Sequence, residues 1–312
     1  MSYSQCYHGD SDIDKGIGVG LGLVFVVSDT QCGSTVGLCP PEVTVEGGGN
    51  YQANVAQRWL WECWEDVTGC MWRPRKKRAE DEMPGEISPP GKKGWMERTA
   101  GGREYAIVIL GDAIEGCHHK QVEVIGNDVA LHAAIARHIF GALVENASRV
   151  FVVRGTEVHV GTVENGLGQH VGGKYCRATK SFAWEQLQLK VRGVLSHFKH
   201  HISVSMRPWT TSMQFAAAIA SEQLNAIGLD HSAPRVVCRA HRHQYGEWRN
   251  NQGLVVVSPP WQLLTRFARK VTQASLSQPG MFALDYDDMD HYGLPRVHAK
   301  LYRPDADRVV SI

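Results

Sequence analysis

Six consecutive apolar or aromatic residues, Tyr105 to Leu110, run without a polar interruption into Gly111 and Asp112. Such a run has no face to offer water, so it suits a strand covered on both sides, the usual state in an α/β sheet. Ligands of these sheets gather at the carboxyl ends of the strands, which makes Asp112 a candidate site residue. Three further apolar runs close in the same way. Residues 21–27 stop before Asp29 and Gln31, residues 150–153 before Arg154, Gly155, Thr156 and Glu157, and residues 234–238 before Arg239, His241 and His243. Four strand ends that each deliver groups able to bind a metal predict one shared site.

The chain of 312 residues can bury a large core. We expect one domain over 19–312, behind a polar, Gly- and Asp-rich leader at 1–18, with a charged insertion at 73–104. Apolar content of 43% and charged content of 21% are ordinary for a soluble globular protein. A net charge of +1 offers no global attraction to polyanions, so nucleic-acid binding would need a local basic patch. Eight cysteines without a CxxC pair suit a reducing compartment. The apolar stretch at 19–27 follows Asp10, Asp12 and Asp14 and is too short to span a bilayer; a cytoplasmic location without membrane contact is expected. The glycines at 16, 18, 20 and 22 precede the first strand, the wrong side for a dinucleotide-binding turn.

Between the strand ends, helical spacing of Val55, Trp59, Leu60, Trp64 and Val67 predicts a helix whose tryptophans pack into the core. The insertion carries nine Lys or Arg, six Asp or Glu and several prolines and glycines, and reads as a coreless loop or flap. Residues 128–146 predict an amphipathic helix with His132 and His138 toward solvent. Residues 161–174, rich in glycine, read as a long loop. Residues 181–191 suit a short helix or strand, 211–227 a helix ended by Gly228, and 254–257, 281–284 and 297–301 further strands.

In order, the motifs are Asp29 with Gln31, Gly111-Asp112, Gly155-Thr156-Glu157 with His159, a histidine cluster, and His241 with His243. This series resembles the calcineurin-like metallophosphoesterase superfamily, in a divergent form, across roughly residues 20–260. The family pattern is Asp-x-His, Gly-Asp, Gly-Asn-His, an isolated His, and Gly-His-x-His. The resemblance implies a four-layer α/β/β/α sandwich with the metal site at the strand carboxyl ends. It implies Asp29, Gln31, Asp112, Thr156, His201, His241 and His243 as metal ligands, with Asp112 bridging. His200 and then His197 stand behind His201 as candidates for the isolated histidine. Glu157 and His159 become the candidate catalytic groups, and His118, His119 and Arg154 the candidate substrate contacts. Gln31, Thr156, Glu157 and Ala240 depart from the family pattern, and the first two weaken the metal shells.

The cofactors so implied are two divalent transition-metal ions, Mn foremost, with Fe, Zn or Ni as alternatives, because a mixed Asp and His shell suits these over Ca. The implied activity is that of a phosphoesterase, chiefly a phosphodiesterase, hydrolysing a nucleotide, DNA or RNA phosphodiester with a water activated between the metals. A degenerate relative that binds nucleic acid or a protein partner without turnover is the alternative, and an enzyme with a single ion is a third.

Overall fold

The computed structural model describes residues 21–45, 48–75, 83–117, 122–203, 210–271 and 277–304. The leader at 1–18, the basic run at 76–78, His118 and His119 lie outside them. In chain order the elements begin with β1 (Leu23–Val27), β2 (Glu42–Thr44), β3 (Asn50–Gln52), α1 (Val55–Thr68), β4 (Trp72–Pro74), β5 (Gly85–Ile87), α2 (Trp95–Ala100) and β6 (Tyr105–Leu110). They continue with α3 (Val129–Leu143), β7 (Arg149–Val153), α4 (Glu157–Val160), α5 (Val163–His170), β8 (Ala183–Trp184), β9 (Leu187–Val191) and β10 (Val194–Phe198). Last come α6 (Thr211–Gly228), β11 (Val236–Arg239), β12 (Gly246–Arg249), β13 (Leu254–Val257), α7 (Arg266–Val271), β14 (Gly280–Met289) and β15 (Pro295–Leu301).

Two sheets dominate. One has the order β15-β14-β1-β6-β7-β8, and the other β12-β13-β11-β10-β9. In the first, β1, β6, β7 and β8 run parallel, with Phe25 opposite Ile107 and Val108 opposite Phe151. The period-two alternation of a strand explains why β1 and β6 are apolar throughout. Leu23, Phe25, Val27, Tyr105, Ile107 and Ile109 face a core shared with α1, α2, α3 and α5. Their neighbours Val24, Val26, Ala106, Val108 and Leu110 face Leu187, Leu189, Phe198, Val236, Cys238 and Val256 of the second sheet. On the far side of that sheet Val237, Val255 and Val257 meet Phe215 and Ile219 of α6.

Helix α1 starts in a reciprocal capping box between Asn54 and Gln57 and ends at Gly69, whose φ of 74° suits glycine. Trp61 and Trp64 are buried, the latter edge-on to Trp261 at 4.9 Å. The insertion is not coreless. Met96 of α2 is fully buried, Trp95 packs edge-on to Phe25 at 5.7 Å, and β4 pairs with β5. The described part of 73–104 is anchored by a few apolar residues, which composition averages away. Residues 161–174 are likewise not a plain loop: they contain all of α5, Val163–His170. His132 does not face solvent: it is fully buried, hydrogen-bonded through Nε2 to the Gly126 carbonyl at 3.0 Å and packed where Gly33 has no side chain. His138 is half-buried. The seven described cysteines are all free, and no described helix is long and apolar enough to cross a membrane.

Candidate metal centre

The pairing of β1 with β6 continues past both strands. Asp29 N–H donates to the Gly111 carbonyl at 3.0 Å and Gln31 N–H to the Asp112 carbonyl at 3.1 Å, so the two acid-bearing turns lie side by side. In the second sheet Ala240 N–H donates to the His200 carbonyl at 2.8 Å, which brings the turn after β10 against the turn after β11. All these turns open toward one point between the sheets. Asp29, Gln31, Asp112, His241 and His243 have φ between 45° and 69°, five of the eight described non-glycine residues with positive φ. Unfavourable backbone concentrated at one place is the mark of a site that its surroundings over-determine.

Asp112 is the hub. Its Oδ1 accepts from Thr156 N–H at 2.5 Å, and its Oδ2 accepts from Thr156 Oγ1 at 3.1 Å and Gln31 Nε2 at 3.3 Å. Gly155 makes this possible, since a Cβ there would stand 2.2 Å from Asp112 N and 2.3 Å from Oδ1. His200 donates Nδ1–H to the Leu110 carbonyl at 2.7 Å, which turns Nε2 inward, 3.2 Å from Asp112 Oδ2 and 3.8 Å from Asp29 Oδ1. His243 Nε2 lies 3.2 Å from Asp29 Oδ1, and His241 Nδ1 lies 3.2 Å from Thr156 Oγ1. Ligand atoms of Asp112, His200 and His241 all fall within 4.8 Å of one another.

Buried polar atoms are nearly always partnered, yet Asp29 Oδ2 and Gln31 Oε1 are buried here without a hydrogen bond, and Asp29 Oδ1 and His200 Nε2 meet only the ionisable groups of the same cluster. Two carboxylates, three inward imidazoles and an orphaned amide oxygen are the donor set of a transition-metal site, so the residues present fit the implied ions. Burial pushes both carboxyls up, but the imidazoles outweigh it: His243 and His200 hold Asp29 below the usual carboxylate range, and His200 holds Asp112 below it. Burial lowers His200, while Asp112 and Asp29 raise it further, to about 10. Burial and the charge of His200 depress His241 to about 4, leaving it neutral and ready to ligate.

Among the three candidates for the isolated histidine, His200 lies between the two carboxylates. His201 is exposed beside it, its ring 4.7 Å from that of His241. His197 faces the other side of β10, bound by Arg239 Nη2 at 3.2 Å, near Glu222. Glu157 is exposed at the start of α4. His159 is held by the Glu115 carbonyl at 2.8 Å. Arg154 is committed to Glu185 at 2.7 Å and the Gly161 carbonyl at 3.0 Å.

One residue was invisible in the sequence. Glu164, fully buried, accepts from Ala113 N–H at 3.1 Å and from Gly155 N–H at 2.6 Å, tying the turns after β6 and β7 together. Burial and the charge of Asp112 push its carboxyl up to about 7. A lone acid in a glycine-rich stretch is the only trace it leaves in the sequence, too little to single it out.

No family model and no curated protein matches the chain. Among solved structures it is similar to an archaeal protein described as a novel phosphodiesterase, at 9% identity over 90% of this chain and 99% of that one, with a TM-score of 0.41. It is also similar to wild-type Vps29 of Entamoeba histolytica complexed with zinc, at 12% identity over 89% and 98%, TM-score 0.36. A third is a conserved uncharacterised protein, a predicted phosphoesterase, of Streptococcus pneumoniae, at 10% identity over 89% and 98%, TM-score 0.31.

Proposed function

We propose that the chain is a metal-dependent phosphoesterase, chiefly a phosphodiesterase acting on a nucleotide or nucleic acid, with a calcineurin-like α/β/β/α arrangement and up to two divalent ions. The observation that carries this is the set of buried ligand atoms on Asp29, Gln31 and His200, whose only partners are the facing groups of Asp112 and His243, with His241 beside them. Divalent ions held there would supply positive charge for the phosphoryl oxygens and a water of lowered pKa. Asp29 with His243 forms one half of the ligand set, and His200 with His241 the other, with Asp112 between them. His201, exposed beside His241, is the imidazole that an incoming phosphoester can reach first.

A second reading rests on a specific contact. Gln31 Nε2 and Thr156 Oγ1 both donate to Asp112 Oδ2, which satisfies the bridging oxygen without a cation and favours a binding protein without turnover. Elemental analysis of protein purified without chelator separates the two. The enzyme reading expects close to two transition metals per chain, a clear loss in Asp112→Asn, and hydrolysis of an aryl phosphodiester by the wild type alone. A wild type that takes up no metal after incubation with Mn, or an Asp112→Asn variant with unchanged turnover, would refute it.

A further inference from the structure

Helix α6 buries Phe215, Ile219 and Ala226 against the second sheet. Its outer side is apolar as well. Met213, Leu224 and Ile227 are 68%, 68% and 71% exposed, and Ala217 and Ala220 are exposed between them. The intervals 213, 217, 220, 224 and 227 alternate four and three, the spacing of a seam that meets another helix. A surface helix ordinarily turns charge to the water, but the only charged residue in the eighteen of α6 is Glu222, and it turns inward to Arg239 Nη2 at 2.7 Å.

We propose that this face is a self-association surface on which a second copy of the chain packs its own α6 antiparallel, about a two-fold axis at Ala220. The absence of charge selects the occupant. A membrane-surface helix carries Lys or Arg along its polar flank, and here the flanks are Ser212, Ser221, Gln223 and Asn225. A strongly charged partner would find nothing to pair with on this face, whereas a copy of the same uncharged face meets no like charge. Side-chain size selects the direction. Antiparallel pairing about that axis sets Met213 opposite Ile227, Leu224 beside Ala217 and Ala216, and Ala220 on its own mate, so the bulk of Leu224 meets small residues on both sides of the axis and the helices can approach to about 8 Å. Parallel pairing would stack Leu224 on Leu224 and leave both alanine levels thin. An isologous contact of this kind closes as a dimer.

Sedimentation equilibrium of the full chain tests the proposal, with metal content and circular dichroism as controls on folding. The wild type should approach twice the 34.6 kDa chain mass as concentration rises, while Leu224→Glu and Ile227→Lys stay at the single mass. In a Cys6→Ser, Cys117→Ser background with diamide as oxidant, Ala220→Cys should cross-link to itself and Met213→Cys should not. A wild type that stays monomeric at every concentration overturns the surface. A dimer that survives both charged variants overturns its location, and cross-linking of Met213→Cys in preference to Ala220→Cys overturns the antiparallel direction.

Discussion

His200 shows how the site's charge depends on what occupies it. With its pKa raised to about 10 from an ordinary 6.5, its imidazolium stabilises the metal-free fold fully below about 6.5, and that contribution is lost as pH rises through about 10. An ion that takes Nε2 must displace that proton. Metal affinity should therefore rise with pH across the same window, and loading at pH 7.5 should release protons, since His243 is raised too. Titration calorimetry in two buffers of different ionisation enthalpy reads this directly; a binding heat independent of buffer would sink the assignment of His200. Glu164 gives a second test. Gln at that position can accept from only one of Ala113 N–H and Gly155 N–H and opposes its amide to the other, so Glu164→Gln should weaken metal binding by about 10- to 100-fold. Unchanged affinity would mean that the turns hold themselves. Asp29, Asp112, His241 and His243 were legible in the sequence because each closes an apolar run. Glu164 was not, because only the tertiary meeting of two turns gives its carboxylate a task.

Elements place those residues, and one glycine controls the placement. Any side chain at position 155 collides with Asp112, whereas a Cβ at Gly166, within α5, meets nothing within 4 Å. Gly155→Ala should therefore lose metal, while Gly166→Ala should keep it and gain slightly in helix propensity, up to about 1 kcal/mol; equal metal content in the two variants would contradict the proposed role of the β7 turn. At the other sheet, Arg242 stands between His241 and His243 and reaches back to α6, donating to Gln214 Oε1 at 2.9 Å and Thr211 Oγ1 at 2.8 Å. The strands that carry the site were readable because double-sided burial erases polarity from them. The helices at 95–100 and 163–170 were not, because Met96 and Leu167 are sparse anchors within charged or glycine-rich surroundings, and periodicity needs more than one anchor to show.

At the scale of the molecule the ligands divide between the two sheets. Asp29, Asp112 and Thr156 follow β1, β6 and β7, while His200, His241 and His243 follow β10 and β11. The sheets meet otherwise through an apolar core that includes Phe198, Val236 and Leu284. An ion held by both sets joins the two sheets at their open end, so its binding free energy must appear in global unfolding and not in local order alone. A single site at a hundred times its Kd adds about 2.7 kcal/mol, which for a domain of this size corresponds to a rise in Tm of roughly 4 °C. Differential scanning calorimetry should show Tm falling by that amount after chelation and recovering with Mn or Zn. Asp112→Asn, lacking the carboxylate that belongs to both halves, should unfold at one temperature whether metal is present or not. Calcium, which prefers an all-oxygen shell, should restore little. If the wild type melts at the same temperature with and without transition metal, the two sheets are not joined through this centre, and the buried carboxylates are held without an ion, Asp29 by its imidazole partners and Asp112 by His200, Thr156 and Gln31.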